Sequence, residues 1–553
     1  MSKKPFTRLW NLVLLDKSDI IAIYFYAILS GLVQLSLPLG IQSIIGFVLG
    51  ASMVTSIYVL IFLVVIGVAA VGIMQINQMK IIEKIKQKIF TRYALEFAHT
   101  IPQFDSLKTD AYYLPEKINR FFDTLNVQKG LSKLLLDVPV ASIQIILGLL
   151  LLGLYDSTFI IAGVALLLIL WLVFYISGSM GIKTSLKESD DKYKVASWLE
   201  EMARVINPFK NNHHTQINLK KTDHFISEYL DSKTSHFKIL LVQYQVLVAI
   251  KVAITATMLI VGTVLLLDQQ LNIGEFIAAE IVILMVINAV EKLIINLDSV
   301  YDVATGLEKL ASVTEPLAEP GGKLLLQSPG RGIQLELKGF SFLFSNSRKM
   351  FQGLDLYLPQ GSFTTIGTGG QAGKSVLLQA LAGYYTQFEG TLHINGLPLG
   401  NYDLASYRRH IGMYLNQKDI FIGTVGENIL MGREYISPEQ IMDMATKLGL
   451  DEIISTLPQA FNTEVAPNAR NLDSRTIRCI LLLRAFIKLP ALLLLETPWD
   501  GLPEKSRQSM LSYLRSLHGQ TTLVIATDEE ALQELSDYHY ELQNGRLIPG
   551  KTI

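Results

Sequence analysis

Cysteine is almost missing from this chain of 553 residues, with Cys479 standing alone. That excludes a disulfide framework and a cysteine-rich zinc site. An excess of either charge is also missing: 48 Lys and Arg face 49 Asp and Glu. With no basic stripe, the chain offers a nucleic acid no electrostatic footprint, so no nucleic-acid partner is expected. Repeats and low-complexity tracts are absent. Charge itself is scarce, at 18% of residues against 50% hydrophobic, and unevenly placed. No charged side chain or histidine lies between Asp19 and Lys80. At 1.5 Å rise per residue, that stretch suffices for two bilayer-crossing helices. The opening "MSKKPFTRLWNLVLLDKSD" has charge on both sides of a short apolar run and no small-residue cleavage site. It reads as an interfacial amphipathic helix rather than a cleavable leader.

Apolar spans recur at about 20–48, 52–79, 138–155, 157–182, 239–267 and 273–297. Each is long enough to cross a bilayer as a helix, and Pro38 is expected to kink the first. Long charged segments, 80–137 and 183–238, follow the second and fourth spans. The connections on the opposite side are short and carry no Lys or Arg, whereas Lys80, Lys84, Lys86, Lys88 and Arg92 crowd the start of the first long segment. The positive-inside rule then places both long segments and both termini in the cytoplasm.

Hydropathy changes near residue 315. "TEPLAEPGGKLLLQSPGRG" is a linker by its Pro and Gly content. Beyond it, short apolar strands alternate with amphipathic helices, as in a soluble α/β domain. "FTTIGT", "YRRHIGMYL", "ALLLLE" and "TTLVIAT" read as buried strands.

The first of these strands runs into "GTGGQAGKSVLLQALAGYY". A strand, a Gly-rich turn and then Lys-Ser opening a helix is a phosphate-binding loop. Backbone N–H groups cradle phosphates, the lysine reaches the β and γ oxygens, and the serine holds Mg²⁺. Lys374 and Ser375 stand where those roles require, after Gly367, Gly370 and Gly373.

With these features in order, the chain resembles an ABC exporter half-transporter over nearly its full length, most closely the exporters of type I protein secretion and bacteriocin export. The resemblance implies a membrane all-α domain of six helices over 1–315, a linker over 316–332, and an α/β P-loop NTPase domain of ABC type over 333–553. It implies ATP and Mg²⁺ as ligands, with no structural metal. "FSFLF" matches the strand bearing the adenine-stacking aromatic, which makes Phe344 the candidate, with a core aromatic as the plain alternative. "IGMYLNQKDIFIGTVGENILMG" matches the Q-loop segment, with Gln417 near the metal. "LLRAFIKLPALLLLETPWDGL" matches the helix, Walker B strand and D-loop, and "TTLVIATDEEAL" the strand ending at the switch histidine. The stretches near 102–116 and 202–216 resemble coupling helices. Partners implied are the lipid bilayer, a second copy or a second ABC half as a dimer, and a periplasmic adaptor. The location implied is a bacterial inner membrane.

The sequence departs from the family where chemistry happens. Thr368 stands where the loop wants its first glycine, and Gln371 replaces another. Walker B ends in Glu496-Thr497 instead of Asp-Glu, so a hydroxyl stands where a carboxylate should polarise water. Thr527 takes the switch-histidine place. The signature position reads Leu472-Asp473-Ser474-Arg475-Thr476, with both glycines gone and a carboxylate where a γ-phosphate docks. Asp473 has a second reading, as the cap of the helix that follows. Arg475 also reads as a solvated arginine, Trp499 as packing, and His213 and His214 as surface residues. The family's sites are composite, one subunit's Walker motifs facing the other's signature. No partner repairs both defects, so no intact catalytic set is expected. Two functions remain open: an exporter with impaired hydrolysis, and a non-hydrolysing scaffold, regulator or nucleotide-gated channel.

Charges inside membrane helices mark a pair or a pathway. Measured from the outer ends of the fifth and sixth helices, Lys251 lies ~24 Å deep, Glu280 ~10 Å and Glu291 ~27 Å. Lys251 and Glu291 therefore share a depth and are expected to pair, with snorkelling at the inner face as the alternative. Glu280 has no matched cation and is a candidate for a polar cavity.

Overall fold

The computed structural model describes residues 5–49, 54–106, 113–315, 319–327, 330–343, 349–367 and 373–550. The chain forms two compact units, Met1–Pro102 with Tyr113–Pro316, and Gln103–Tyr112 with Leu317–Ile553.

Among its described residues the first unit has helices and no strand. Among the described residues, six helices are long and apolar enough to cross a membrane: Lys17–Leu49, Thr55–Gln103, Leu114–Tyr155, Thr158–Arg204, Ile217–Leu267 and Ile273–Thr314. Several run well past the apolar stretches seen in sequence, because charged helical turns continue beyond the hydrocarbon depth. The first breaks at Leu35, between Lys17–Gln34 and Ser36–Leu49. Pro38 accounts for the break, since it has no N–H for the carbonyl of Gln34, four residues back. The turn between the third and fourth spans is Asp156 alone, whose carboxylate accepts from the Thr158 N–H at 2.7 Å. Asn272 and Glu275 form a reciprocal capping box at the start of the sixth. The helix Pro5–Leu15 precedes the spans, with Trp10 and Leu15 each 63% exposed. The fourth and sixth spans pack closely at Gly181, where a Cβ would lie 2.3 Å from the Tyr301 ring.

The described residues of the second unit form three sheets. A four-stranded antiparallel sheet has the order β2-β1-β4-β5, from β1 (Leu335–Leu343), β2 (Lys349–Leu358), β4 (Glu389–Ile394) and β5 (Leu397–Pro398). The central sheet has the order β12-β11-β3-β10-β9-β6, from β3 (Phe363–Gly367), β6 (Ile411–Tyr414), β9 (Leu492–Glu496), β10 (Thr522–Ala526), β11 (Tyr538–Gln543) and β12 (Arg546–Pro549). All its pairings are parallel except β11 with β12. A short β7 (Gly423–Thr424) pairs with β8 (Glu464–Val465). β3 and β10 are buried at every position, which is why both read as unbroken apolar runs.

"YRRHIGMYL", expected to be strand throughout, is part helix and part strand. Only Ile411–Tyr414 is strand; Leu404–Arg409 is a helical turn capped by the Asp403 carboxylate on the Ser406 N–H at 2.7 Å. The Tyr407 hydroxyl, fully buried, donates to the Leu381 carbonyl at 2.6 Å and fixes that turn. Of the two stretches compared with coupling helices, the second contains the short helix Ile206–Asn211. The first is described on both sides of 107–112 only, with Leu114–Asn119 helical. The stretch read as a linker packs on the second unit: Leu326 is buried, and the Arg408 guanidinium grips the Glu319 carboxylate at 2.7 and 2.9 Å.

Candidate functional site

The site lies at the carboxyl ends of β3, β9 and β10, where open α/β sheets present their crevice. β3 stops at Gly367. Residues 368–372 lie outside the described residues, and with them Gly370, Thr368 and Gln371, as does Phe344. The loop returns at Gly373, whose φ of +135° is a conformation that L side chains rarely adopt, and whose Cβ position lies 3.0 Å from Leu542 Cδ2. A glycine is needed there. The helix Lys374–Leu381 follows at once, so Lys374 and Ser375 occupy its first turn, beside the unpaired N–H groups that attract anions.

Both side chains meet carboxylates of the neighbouring strands. Lys374 Nζ donates to Asp528 Oδ2 at 2.6 Å. Ser375 Oγ lies 2.8 Å from Glu496 Oε1 and 2.9 Å from Oε2, and the Asn416 backbone N–H donates to Oε2 at 3.2 Å. Glu496 is thus long enough to reach the serine hydroxyl directly. One residue on, Thr497 has φ +39° and donates its N–H to the Ala526 carbonyl at 3.1 Å. A β-branched residue in left-handed backbone is strained. Thr527 is buried, donates its N–H to the Ile366 carbonyl at 2.9 Å, and its hydroxyl oxygen accepts from the Glu529 N–H at 3.3 Å. The ends of β9 and β10 therefore present two threonines side by side.

The signature stretch is built as a helix cap. Asp473 accepts from the Thr476 N–H at 2.7 Å and opens the helix Ser474–Phe486. Bonds from Thr476 hold its carboxyl below the usual range. Leu472 packs against the core, Ser474 and Arg475 are exposed, and Thr476 is buried. Gln417 is exposed and lines a cavity of about 320 Å³ with Tyr384, Arg433, Arg484 and Lys488. Burial first, then the Arg433 charge, pushes Lys488 down to about 8. Trp499 is buried, donating from Nε1 to Glu529 Oε1 at 2.7 Å, which is packing and not a stacking face.

In the first unit, Lys251 Nζ meets Glu291 Oε2 at 2.6 Å. Glu280 is exposed on the sixth span, with no ion pair among the described residues. His214 is exposed, and no group of three or more metal-ligating side chains forms among the described residues. Cys479 is buried in the core, which pushes its thiol pKa up.

Sequence reasoning missed Asp528. Its one signal was an acidic residue directly after the switch position. It also missed the Asn416 N–H, since a backbone donor leaves no mark in sequence.

Two families match the chain. The ABC transporter transmembrane region matches residues 20–290 and the ABC transporter family matches residues 351–499. An uncharacterized ABC transporter ATP-binding protein, YknV of Bacillus subtilis, is 25% identical over 300 residues, 53% of this chain and 49% of that protein. An ATP-dependent lipid A-core flippase of Saccharophagus degradans is 27% identical over 244 residues, 44% of this chain and 41% of the flippase. These alignments span about half or less of each relative. A bacterial Atm1-family ABC exporter solved with ATP bound superposes with a TM-score of 0.83 at 16% identity, covering 96% of this chain and 94% of that one. At that identity the likeness is one of fold.

Proposed function

Because the chain joins an ABC transporter transmembrane region to an ABC transporter domain and is an ABC half-transporter of integral membrane type, we propose that it is an exporter subunit that binds nucleotide and turns it over weakly or not at all. It carries a peptide, a protein or a lipophilic compound outward, in the manner of type I secretion and bacteriocin exporters. It sits in a bacterial inner membrane with both termini cytoplasmic. It pairs with itself or a second ABC half, and a periplasmic adaptor completes the export path. The flippase relative supports the lipophilic cargo.

The observation that carries the reading is the pair Thr497 and Thr527 at the ends of β9 and β10. A hydroxyl of very high pKa does not take a proton from water at neutral pH. Each lost function, base or charge-stabilising donor, costs about 10²–10³-fold.

The residues present fit a nucleotide and its metal. Lys374 supplies the point charge for phosphate. Ser375 Oγ and the Glu496 carboxylate meet at 2.8–2.9 Å, so two oxygen donors of the kind Mg²⁺ prefers stand together. Those two residues would hold Mg²⁺, which would neutralise phosphate charge when bound. Asn416 holds Glu496 in place through its N–H. Gly367 and Gly373 flank the loop, Gly370 is its glycine by sequence, Phe344 is the base-stacking candidate, and Gln417 the metal neighbour.

Asp473 favours the second reading, a non-hydrolysing scaffold, regulator or channel. Its carboxylate already caps the helix, so the N-terminus that should receive a partner's γ-phosphate is satisfied from within. ATPase activity of the purified chain in nanodiscs, alone and with a co-expressed half-transporter, tests both readings. Turnover below about 1 per minute in either state is expected; typical enzyme turnover of ~1–10³ per second overturns the proposal. Mass measurement in the same nanodiscs should report a dimer, and a stable active monomer contradicts it.

A further inference from the structure

We propose that a polar cavity among the third, fourth, fifth and sixth membrane helices binds a protonated amine. The inference rests on the exporter reading only in naming the chemistry a cargo would carry; binding itself is measured without transport. The cavity lies where the apolar stretches give way to charged helix. Its volume is about 290 Å³, at the low end of small-molecule sites of ~300–1,000 Å³. Four carboxylates and two ammonium groups line it: Asp123, Glu188, Asp298 and Asp302, with Lys192 and Lys233. Each lysine already has a carboxylate. Lys192 Nζ lies 3.7 Å from Asp123 Oδ1, and Lys233 Nζ lies 3.5 Å from Glu188 Oε1. That leaves Asp298 and Asp302, and Asp302 forms no ion pair among the described residues.

A second observation is a pair of buried polar atoms on the same cavity. His236 and Ser189 are 6% and 7% exposed, and neither His236 Nε2 nor Ser189 Oγ has a hydrogen-bond partner. The far side of the imidazole fixes its tautomer. Thr184 Oγ1 lies 3.1 Å from the Met180 and Gly181 carbonyls and 2.8 Å from His236 Nδ1. Its one hydrogen goes to a carbonyl, so it accepts from Nδ1–H, and Nε2 of the neutral ring carries a lone pair. That nitrogen stands 3.6 Å from Asp298 Oδ1, two acceptors with no donor between them. Buried acceptors left in this state are costly. A bare metal ion does not answer them, since no three ligating side chains converge among the described residues. An ammonium brings three donors and a charge, and Asp302, one turn on from Asp298, supplies the counter-charge. Protonation of His236 is the plain alternative: it would satisfy Asp298 from within and call for no ligand.

The same helix face continues into the bilayer. Ile273–Ile295 and Leu297–Thr314 run on through Asn296, whose backbone stays right-handed helical. Glu280, Glu291, Asp298 and Asp302 follow at intervals of 11, 7 and 4 residues, which keeps them within about 40° at 3.6 residues per turn. Lys251 takes Glu291. Glu280 and Asp302, one at each end, keep their charge for a passing cation.

Equilibrium titration of the full-length protein in phosphatidylcholine nanodiscs, without nucleotide, tests this with spermidine and trilysine as probes. The wild type is expected to bind at least one of them saturably. Asp302→Asn should weaken that binding by about tenfold or more, since it removes the free charge. Ser189→Ala alters no charge and should weaken it about threefold through a lost hydrogen bond; it decides the matter if Asp302→Asn does not fold. Asp231→Asn, an equal loss of charge at an exposed position of the fifth helix outside the cavity, should leave affinity unchanged. Thermal unfolding without ligand checks that the variants fold. Spermidine binding alone assigns a free polyamine and trilysine alone a basic peptide, and either supports the site. No saturable binding of either probe, or an affinity in Asp302→Asn equal to that of the wild type or of Asp231→Asn, overturns the proposal. Saturable binding with no export of the bound probe by proteoliposomes contradicts the exporter reading alone.

Discussion

Lys251 on the fifth membrane helix donates to Glu291 on the sixth across 2.6 Å. Helical rise alone placed the two at one depth, so the contact follows from their similar distance from the short turn that joins the two helices. Two opposite charges this close stabilise each other in a medium that solvates neither well, and removing one leaves the other stranded. Lys251→Met and Glu291→Gln should each lower the thermal midpoint in nanodiscs. The double variant should recover much of the loss, with a coupling on the order of 1 kcal/mol. Additive losses would show that the pair carries no energy of its own.

Lys374→Ala should weaken nucleotide binding by about tenfold or more, roughly 1.4 kcal/mol at the least. Ser375→Ala should reduce binding only when Mg²⁺ is present, because the serine acts through the metal and the lysine on phosphate directly. Fluorescence titration with and without Mg²⁺ separates the two. Unchanged affinity in Lys374→Ala means that this loop is not the phosphate site.

Lys488 titrates at about 8, below its ordinary 10.5, because burial and then Arg433 disfavour its charge. The unfolded chain therefore keeps a proton that the folded one releases between those values, and stability rises with pH across that window. At pH 7 the cost of the buried charge is present in full. Lys488→Met should raise the thermal midpoint at pH 7, by an amount worth about 1 kcal/mol since the side chain stays in part hydrated. The gain should fade toward pH 10. An equal gain at both values would mean better packing and not a relieved charge.

The membrane helices were legible because a bilayer demands long apolar runs, and no other solvent leaves so plain a pattern. β3, β9 and β10 were legible for a related reason: they are buried on both faces. "YRRHIGMYL" was only half so. Its Tyr407 is apolar enough for a strand, but the Asp403 cap turns the chain into helix first, a tertiary detail set by a carbonyl at Leu381. Lys374 and Ser375 were legible from spacing. Glu496 was legible too, as the end of Walker B; Asp528 was not, because it lies 154 residues from Lys374 and arrives only through the pairing of β3 with β10. A local motif names the cation; which anion it meets depends on the sheet.

Thr497→Glu restores a carboxylate at the end of β9. The position tolerates it, since an unbranched side chain suffers less than threonine at φ +39°. If the missing base were the sole defect, hydrolysis should rise by about 10²-fold or more. We expect less than about tenfold in the homodimer, because the facing signature still presents Asp473 and still lacks its glycines, so the charge on phosphate remains unanswered in the transition state. Replacing residues 473–476 with Ser-Gly-Gly-Gln keeps a capping hydroxyl at 473 while removing the anion. Two new glycines in the first helical turn cost about 1 kcal/mol each at most, a loss that a thermal scan can measure. Alone, that replacement should also leave turnover low. Combined with Thr497→Glu, it should exceed the product of the two single effects, because base and signature act on one transition state across one interface. The rate measured is steady-state phosphate release from the dimer. A full gain from Thr497→Glu alone would show that Asp473 does not hinder phosphate, and that the helix it caps still receives a γ-phosphate from the facing subunit.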